Sequence, residues 1–381
     1  MGYLDGVRVV DASRLLPGGY ATMLLSDMGA EVIKVEQPGL GDYMRATPPT
    51  RGGRSPVHGT ANRNKLSIGI DLKTPEGKEV LRKLARTADV FVEGFRPGVI
   101  RRLGFSFEEV RRLSPRVVYC SISTFGQASK LSSMPAHDIN FQALAGTLDY
   151  PRHAVVPMMQ LGDMVSGMFA ALSILGAMAY KKGATFIDVP IVPSLTSWMI
   201  IPVSSYLATE KSPAEGQSLL FGSTPYYNLF RTKDGRYMAV AAIEQEFWGE
   251  LVTALGVPEL EQERFGTAEE RRNVAATLRR VFATKTRDQW ARLLMNRNTC
   301  ATPVLSVGEA LNSEWARAAS MLLKVKGDGR VLNGPLRGSP LPRTQTFTRA
   351  PSLGEDTEGI MISLGYSRAD VKRLKDKRVL Q

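Results

Sequence analysis

The chain has 381 residues, 43% hydrophobic and 23% charged, values of a globular rather than a disordered protein, and its length calls for two domains. A net charge of +12 favours anionic partners, but with no zinc-finger, basic-zipper or RNP pattern beside it, nucleic-acid binding has the charge alone in its favour. Two distant cysteines and three histidines exclude a disulfide framework and the usual Cys/His zinc site, and with no leader, lipidation motif or peroxisomal address read, the expected location is cytoplasmic.

VRVVDAS (7–13) reads as a strand, PGGYATMLLSDMGA (17–30) as a helix with Pro17 near its start and Gly29 near its end, and EVIKVEQPG (31–39) as a second strand. Strand, helix and strand at that spacing form a right-handed unit with parallel strands. Its first turn lacks G-x-G-x-x-G, so dinucleotide binding is unsupported. The alternation continues with KLSIGIDL as a strand and TPEGKEVLRKLARTA as a helix capped by Thr74, with Pro75 at its first position. DVFVEGF, SFEEVRRLS and RVVYCSIS follow as strand, helix and strand. The fold class is α/β, with a Rossmann-like doubly wound large domain whose ligands lie beyond the carboxyl ends of the strands. VEGFRPGVI is one such end.

Met164 to Tyr180 carries no charge, but it falls short of the roughly twenty residues of a membrane span and reads as a buried helix. A large domain is expected over 1–195 and a linker over 196–223. A smaller α+β domain covers 224–318, opening on a hairpin, TPYYNLF and RYMAVAAIEQEF joined by TKDG. Residues 319–381 are a linker and a C-terminal segment.

Three residues stand out. His137, beside Asp138 in AHDINFQALAG, precedes an apolar segment in a chain poor in imidazole. Asp163, in MMQLGDMVSG, sits at the expected N-cap of the apolar helix, where first-turn N–H groups can also support an oxyanion. Glu244, in AAIEQEFW, stands at a helix start and is able to orient an imidazole. His58 and His153 lie in loop-like contexts and carry no functional reading.

The chain resembles the family III coenzyme A transferases and the α-methylacyl-CoA racemases that share their fold (CaiB/BaiF-like proteins). The likeness runs through LDGVRVVDAS, SDMGAEVIKVEQPGLGDYMR, NRNKLSIGIDLKTPEGKEVL, ADVFVEGFRPGVIRRLGFSFEEV, PRVVYCSISTFGQ and PSLGEDTEGIMISLGYS. The resemblance implies a large domain built from both chain ends, a smaller middle domain, and a homodimer of two interlinked subunits. It implies an acyl-CoA thioester as substrate, with no cofactor beyond the CoA moiety, no metal, no nucleic acid and no membrane span. It also implies that Lys73, Arg96 and Arg102 line the nucleotide site and that Leu72, Gly94 and Phe95 contact adenine and pantetheine; Gln37 stands where relatives often carry arginine.

Both branches carry an aspartate at the position of Asp163, a nucleophile in transferases and an acid/base in racemases. Racemases read GHDINY where transferases commonly read PGYD, and this chain reads AHDINF; GAIEPQF of racemases stands here as AAIEQEF. The racemase branch is therefore favoured, with His137 and Asp163 acting on opposite faces of the α-carbon and Glu244 hydrogen-bonded to His137. GDMVSG in place of GDFGGG, Ala136 in place of glycine and the short stretch from Thr147 to Pro157 depart from the racemase pattern. CoA transfer through an aspartyl-CoA intermediate on Asp163 is the alternative reading.

Overall fold

The computed structural model describes residues 2–149, 156–180, 182–212, 220–263, 266–326, 329–334 and 347–381. The chain forms two compact units, the first of Met1–Leu148, Val156–Trp198 and Glu314–Gln381, the second of Asp149–Val155 and Met199–Ser313.

The first unit begins β1 (Arg8–Asp11), α1 (Leu15–Asp27), β2 (Glu31–Glu36), α2 (Pro56–Ala61), β3 (Leu66–Gly69), α3 (Pro75–Arg86) and β4 (Val90–Glu93). It continues with α4 (Val99–Leu103), α5 (Phe107–Leu113), β5 (Val118–Ser123), α6 (Asp138–Ala145), α7 (Leu161–Tyr180), β6 (Thr185–Pro190) and α8 (Ile191–Ser197). The second unit holds α9 (Ile200–Thr209), the antiparallel strands β7 (Tyr227–Arg231) and β8 (Tyr237–Ala241), α10 (Gln245–Leu255), α11 (Ala268–Phe282), α12 (Arg287–Leu294), β9 (Ala301–Pro303) and α13 (Val307–Leu311). The chain then returns to the first unit with α14 (Glu314–Ala318), β10 (Leu322–Val325), β11 (Gly329–Leu332), α15 (Thr357–Ser363) and α16 (Arg368–Asp376).

Six parallel strands in the order β3-β2-β1-β4-β5-β6 build the main sheet, so the winding reverses between β1 and β4. The two-residue period of the strands explains both layers. Val9, Val32, Val90, Val92, Val118 and Cys120 face a core shared with α1 and α7. Their neighbours Val10, Ile33, Phe91 and Tyr119 face the opposite core, against residues of α3, α5, α15 and α16. Cys120 is fully buried, and burial pushes its thiol up, as an inert packing residue requires. Thr74 caps α3 as expected, its hydroxyl accepting the Gly77 N–H at 3.0 Å.

Several expectations need correction. The apolar helix is longer than the uncharged run suggested, twenty residues from Leu161 to Tyr180, which is long and apolar enough by composition to cross a membrane. Nor is it buried all round: Val165, Ser166, Gly167, Ala170, Ala171 and Ile174 pack inward, while Met168 and Leu172 are exposed. The stretch expected as a linker contains α9, none of whose residues is buried. His58 is not in a loop but in α2, buried, where burial holds its imidazole down at about 3. His153, and most of the short stretch before Pro157, lie outside the described residues.

The second unit packs Phe230, Trp248, Phe282 and Trp290 behind a three-stranded sheet ordered β7-β8-β9. Asp234 and Gly235 form the turn of its hairpin, Gly235 at φ +77°.

Candidate active site

His137 is the N-cap of α6, extended at φ −125° and exposed, with its backbone N–H donating to Asn140 Oδ1 at 3.0 Å. Asp163 is the third residue of α7 rather than its N-cap. The helix starts three residues earlier, at Leu161, because capping comes from another segment: Asp138 Oδ1 accepts the Asp163 backbone N–H at 3.0 Å. Gln142 braces the same junction, its amide donating to Asp138 Oδ2 at 2.6 Å and to the Met159 carbonyl at 3.1 Å. Asp138 is the residue after His137, so His137 and Asp163 sit at the starts of two helices joined through one carboxylate.

Two glycines let α7 pack closely, one against α6 and one against α1. A Cβ on Gly162 would meet Phe141 Cβ at 3.0 Å and Asp138 Oδ1 at 3.2 Å. One on Gly167 would meet the Pro17 carbonyl oxygen at 2.7 Å, so α7 lies against α1 with no room for a side chain. Burial, with the Asp138 charge adding to it, pushes the Asp163 carboxyl up to about 7. No described residue donates a hydrogen bond to that carboxyl. Asp163 is therefore poised to hold or release a proton near neutral pH, the property a general acid/base needs.

Glu244 belongs to the second unit, where it is the exposed N-cap residue of α10 without a side-chain capping bond.

The six residues expected to hold the nucleotide and pantetheine fall at the carboxyl ends of β3 and β4. Leu72 and Lys73 follow β3; Leu72 is half-buried, while Lys73 is exposed with its backbone N–H on Asp71 Oδ1 at 3.0 Å. Gly94, Phe95 and Arg96 follow β4, and Arg102 lies in α4. Phe95 and Leu72 both pack on the core behind the sheet, while Gly94, Arg96 and Arg102 stay exposed. Gly94 lies where its Cβ would be 3.5 Å from Ser13 Cβ, so the ends of β1 and β4 meet there.

Sequence reasoning missed the buried charges beneath that edge. Asp11 is fully buried between Lys34, at 3.5 Å, and Lys65, at 3.4 Å, and Lys34 also reaches Asp42 at 3.0 Å. Burial alone raises a carboxyl, but the two lysines and the hydroxyls of Ser13 and Thr22 outweigh it and hold Asp11 at about 2. Burial wins at Lys65 against Asp11 and brings the amine down to about 8. At the end of β4, burial pushes Glu93 up to about 7, against hydrogen bonds from the Ser121 hydroxyl and the Phe95 N–H. The signal available was polar residues inside otherwise apolar strands, Asp11, Lys34 and Glu93, which a β-strand buries only when they are partnered.

The sequence pattern of CoA-transferase family III matches residues 4–357. The chain belongs to that family.

Human alpha-methylacyl-CoA racemase is 32% identical over 393 residues, 99% of this chain and 97% of the relative. Human succinyl-CoA:glutarate CoA-transferase is 35% identical over 265 residues, 68% of this chain and 60% of the relative. The acetyl-CoA:oxalate CoA-transferase of Acetobacter aceti is 31% identical over 388 residues, 97% of each. Among solved structures, a CAIB/BAIF family protein from Brucella suis superposes with a TM-score of 0.85 at 28% identity, covering 95% of this chain and 99% of that one. Racemases and transferases are thus similarly close, and membership of the family fixes an enzyme fold without choosing between the two reactions.

Proposed function

We propose that this family member is an acyl-CoA racemase, an isomerase that inverts the α-carbon of a 2-methyl-branched acyl-CoA thioester. The observation behind this reading is the Asp138 bridge, which joins the start of the helix bearing Asp163 to the residue after His137. Inversion needs one group to take a proton from one face of the carbon and a second to return one on the other face. An imidazole and a carboxyl pushed up to about 7 supply the two groups of such a pair. The intermediate is an enolate, whose negative charge the N-terminal end of α7 favours. Glu244 is the proposed carboxylate support of the imidazole, and Leu72, Lys73, Gly94, Phe95, Arg96 and Arg102 are the proposed CoA contacts. The chemistry calls for no cofactor beyond the CoA moiety.

The second reading is CoA transfer through an acyl anhydride and then a thioester on Asp163, supported by the similarity to succinyl-CoA:glutarate CoA-transferase. A nucleophilic carboxylate must be ionised, whereas Asp163, pushed up to about 7 by burial, is only partly ionised at neutral pH, which suits proton transfer in either direction better than standing nucleophilicity. A nucleic-acid role has the net charge and a cavity of about 1060 Å³ bordered by Arg51, Arg54, Lys324, Lys326 and Arg330 in its favour, and, among the described residues, no element arranged to read a base.

A homodimer is part of the proposal. Met168 and Leu172 on α7, and Ile200, Ile201 and Leu207 on α9, are large apolar residues left exposed by a single chain.

The test is incubation in D2O with one enantiomer of a 2-methylacyl-CoA, followed by NMR and chiral analysis. Deuterium at the α-carbon with inversion, lost or made one-sided in His137→Ala, supports the racemase. Absence of exchange, with CoA moving to added carboxylic acids, establishes the transferase instead.

A further inference from the structure

In sheets wound like this one, an anionic ligand usually lies at the N-terminus of the helix after β1, cradled by a glycine-rich turn. Here the protein fills that position itself. The Leu15 N–H, at the start of α1, points at the Asp42 carboxylate, 3.3 Å from Oδ1 and 3.2 Å from Oδ2. Asp42 is only 2% exposed and is held there by Lys34. Lys34 also donates to the Ser13 carbonyl at 3.1 Å, so one buried ammonium fixes both sides of the turn. Leu15 adopts φ +63°, a left-handed conformation that an L residue keeps only when its surroundings impose it.

With its N–H groups turned inward, the turn sends Arg14 outward. The guanidinium carbon lies 5.6 Å from the centroid of the Phe95 ring and 5.6 Å from that of Tyr43, with Nη1 3.5 Å from the Tyr43 hydroxyl. No carboxylate pairs with Arg14 among the described residues. Phe95 follows β4, so this half-buried cation stands at the point where the winding reverses.

We infer that Arg14 binds a phosphate of the CoA moiety, taking over the role that helix N–H groups play where the helix end is open. The inference rests on the reading that the chain binds acyl-CoA. Two rings hold the guanidinium while leaving edge N–H groups free for bidentate contact with phosphate. A carboxylate on the acyl group is the poorer match, because on the proposed reading the acyl end is the part that meets Asp163, where Asp138 already supplies negative charge. Arg96 and Arg102 follow β4 as Phe95 does, and Lys73 follows β3, all beyond the carboxyl ends of strands of the same sheet.

Calorimetry with CoA, ADP and pantetheine, on wild type, Arg14→Gln and Arg14→Lys, tests this. We expect Arg14→Gln to weaken CoA and ADP about tenfold or more, the size of one charge-assisted contact, with a shallower salt dependence and unchanged pantetheine affinity. Arg14→Lys should recover part of the loss. Thermal melting of each variant separates lost binding from lost folding, and Tyr43→Leu, which removes one ring without touching the charge, should weaken CoA in the same direction if Arg14→Gln fails to fold. Unchanged CoA affinity in Arg14→Gln, or an equal loss of pantetheine, overturns the role of Arg14 while leaving CoA binding intact. A wild-type protein that binds no CoA overturns the parent reading and this one together.

Discussion

The backbone N–H of Asp163 and the carboxylate of Asp138 are joined at 3.0 Å across 25 residues, and this bond brings two helix starts together. It also sets a negative charge beside the Asp163 carboxyl, which adds to burial in raising it.

Asp138→Asn keeps an acceptor for the Asp163 N–H and removes the charge. The Asp163 carboxyl should then ionise at lower pH, so the limb of the pH–rate profile for α-proton exchange that it governs moves to the acid side of 7. Asp138→Ala removes the acceptor too and should lower the exchange rate about a hundredfold, as a misplaced catalytic group does. An unmoved limb in Asp138→Asn would separate the two carboxyls electrostatically.

The raised Asp163 carboxyl has a sign for stability. Its folded value of about 7 exceeds the ordinary 3.8, so the folded state binds an extra proton between the two. Its contribution is at its most favourable below pH 3.8 and declines as pH rises through 7. Asp163→Asn should therefore melt higher than wild type at pH 8, with the difference closing towards pH 4, while exchange activity is abolished. Melting curves at the two pH values decide it; a variant less stable at pH 8 contradicts the assignment.

Asp11→Asn leaves Lys34 and Lys65 buried with too little negative charge. Removing one member of such a network costs about 3–5 kcal/mol. Denaturant unfolding at pH 7 should show a loss of that order. For the wild type, Asp11 at about 2 contributes stability present above 3.8 that is lost as pH falls through 2. A loss under 1 kcal/mol would mean that the lysines find other partners or release their protons.

Gly167→Ala sets a methyl group 2.7 Å from the Pro17 carbonyl oxygen. Overpacking of this kind costs about 1–3 kcal/mol. The same variant should also slow exchange, because Asp163 lies one turn earlier on the same helix. Full activity together with full stability would show that α1 and α7 part freely.

The legible part of the fold was the part with regular periods. Strands such as Val90–Glu93 and helices such as Pro75–Arg86 announce themselves by apolar spacing and caps. The strand Thr185–Pro190 did not, because half-exposed residues leave it without an apolar run. His137, Asp163 and Glu244 stand out by residue type and position, and a family resemblance supplies their expected roles, whereas Asp138, which joins two of them, acts across 25 residues that no local pattern links. The start of α7 was misread for the same reason, its cap lying on another helix. The Asp11, Lys34, Asp42 and Lys65 cluster draws on positions up to 54 residues apart and places lysines where lysines are rarely found.

The return of the last segment to the first unit bears on biosynthesis. Asp356 accepts the Ser67 N–H at 2.8 Å, and Leu380 bridges Ile70 beside β3, contacts spanning about 290 and 310 residues. A nascent chain therefore carries an open sheet edge past the ribosome exit until residues 356–381 have been made. The segment Met199–Ser313, continuous in sequence, holds its own aromatic core and can close while that edge still waits. Slow elongation over the final stretch would prolong the exposure of β3, and a chaperone that shields strand edges would find its target there.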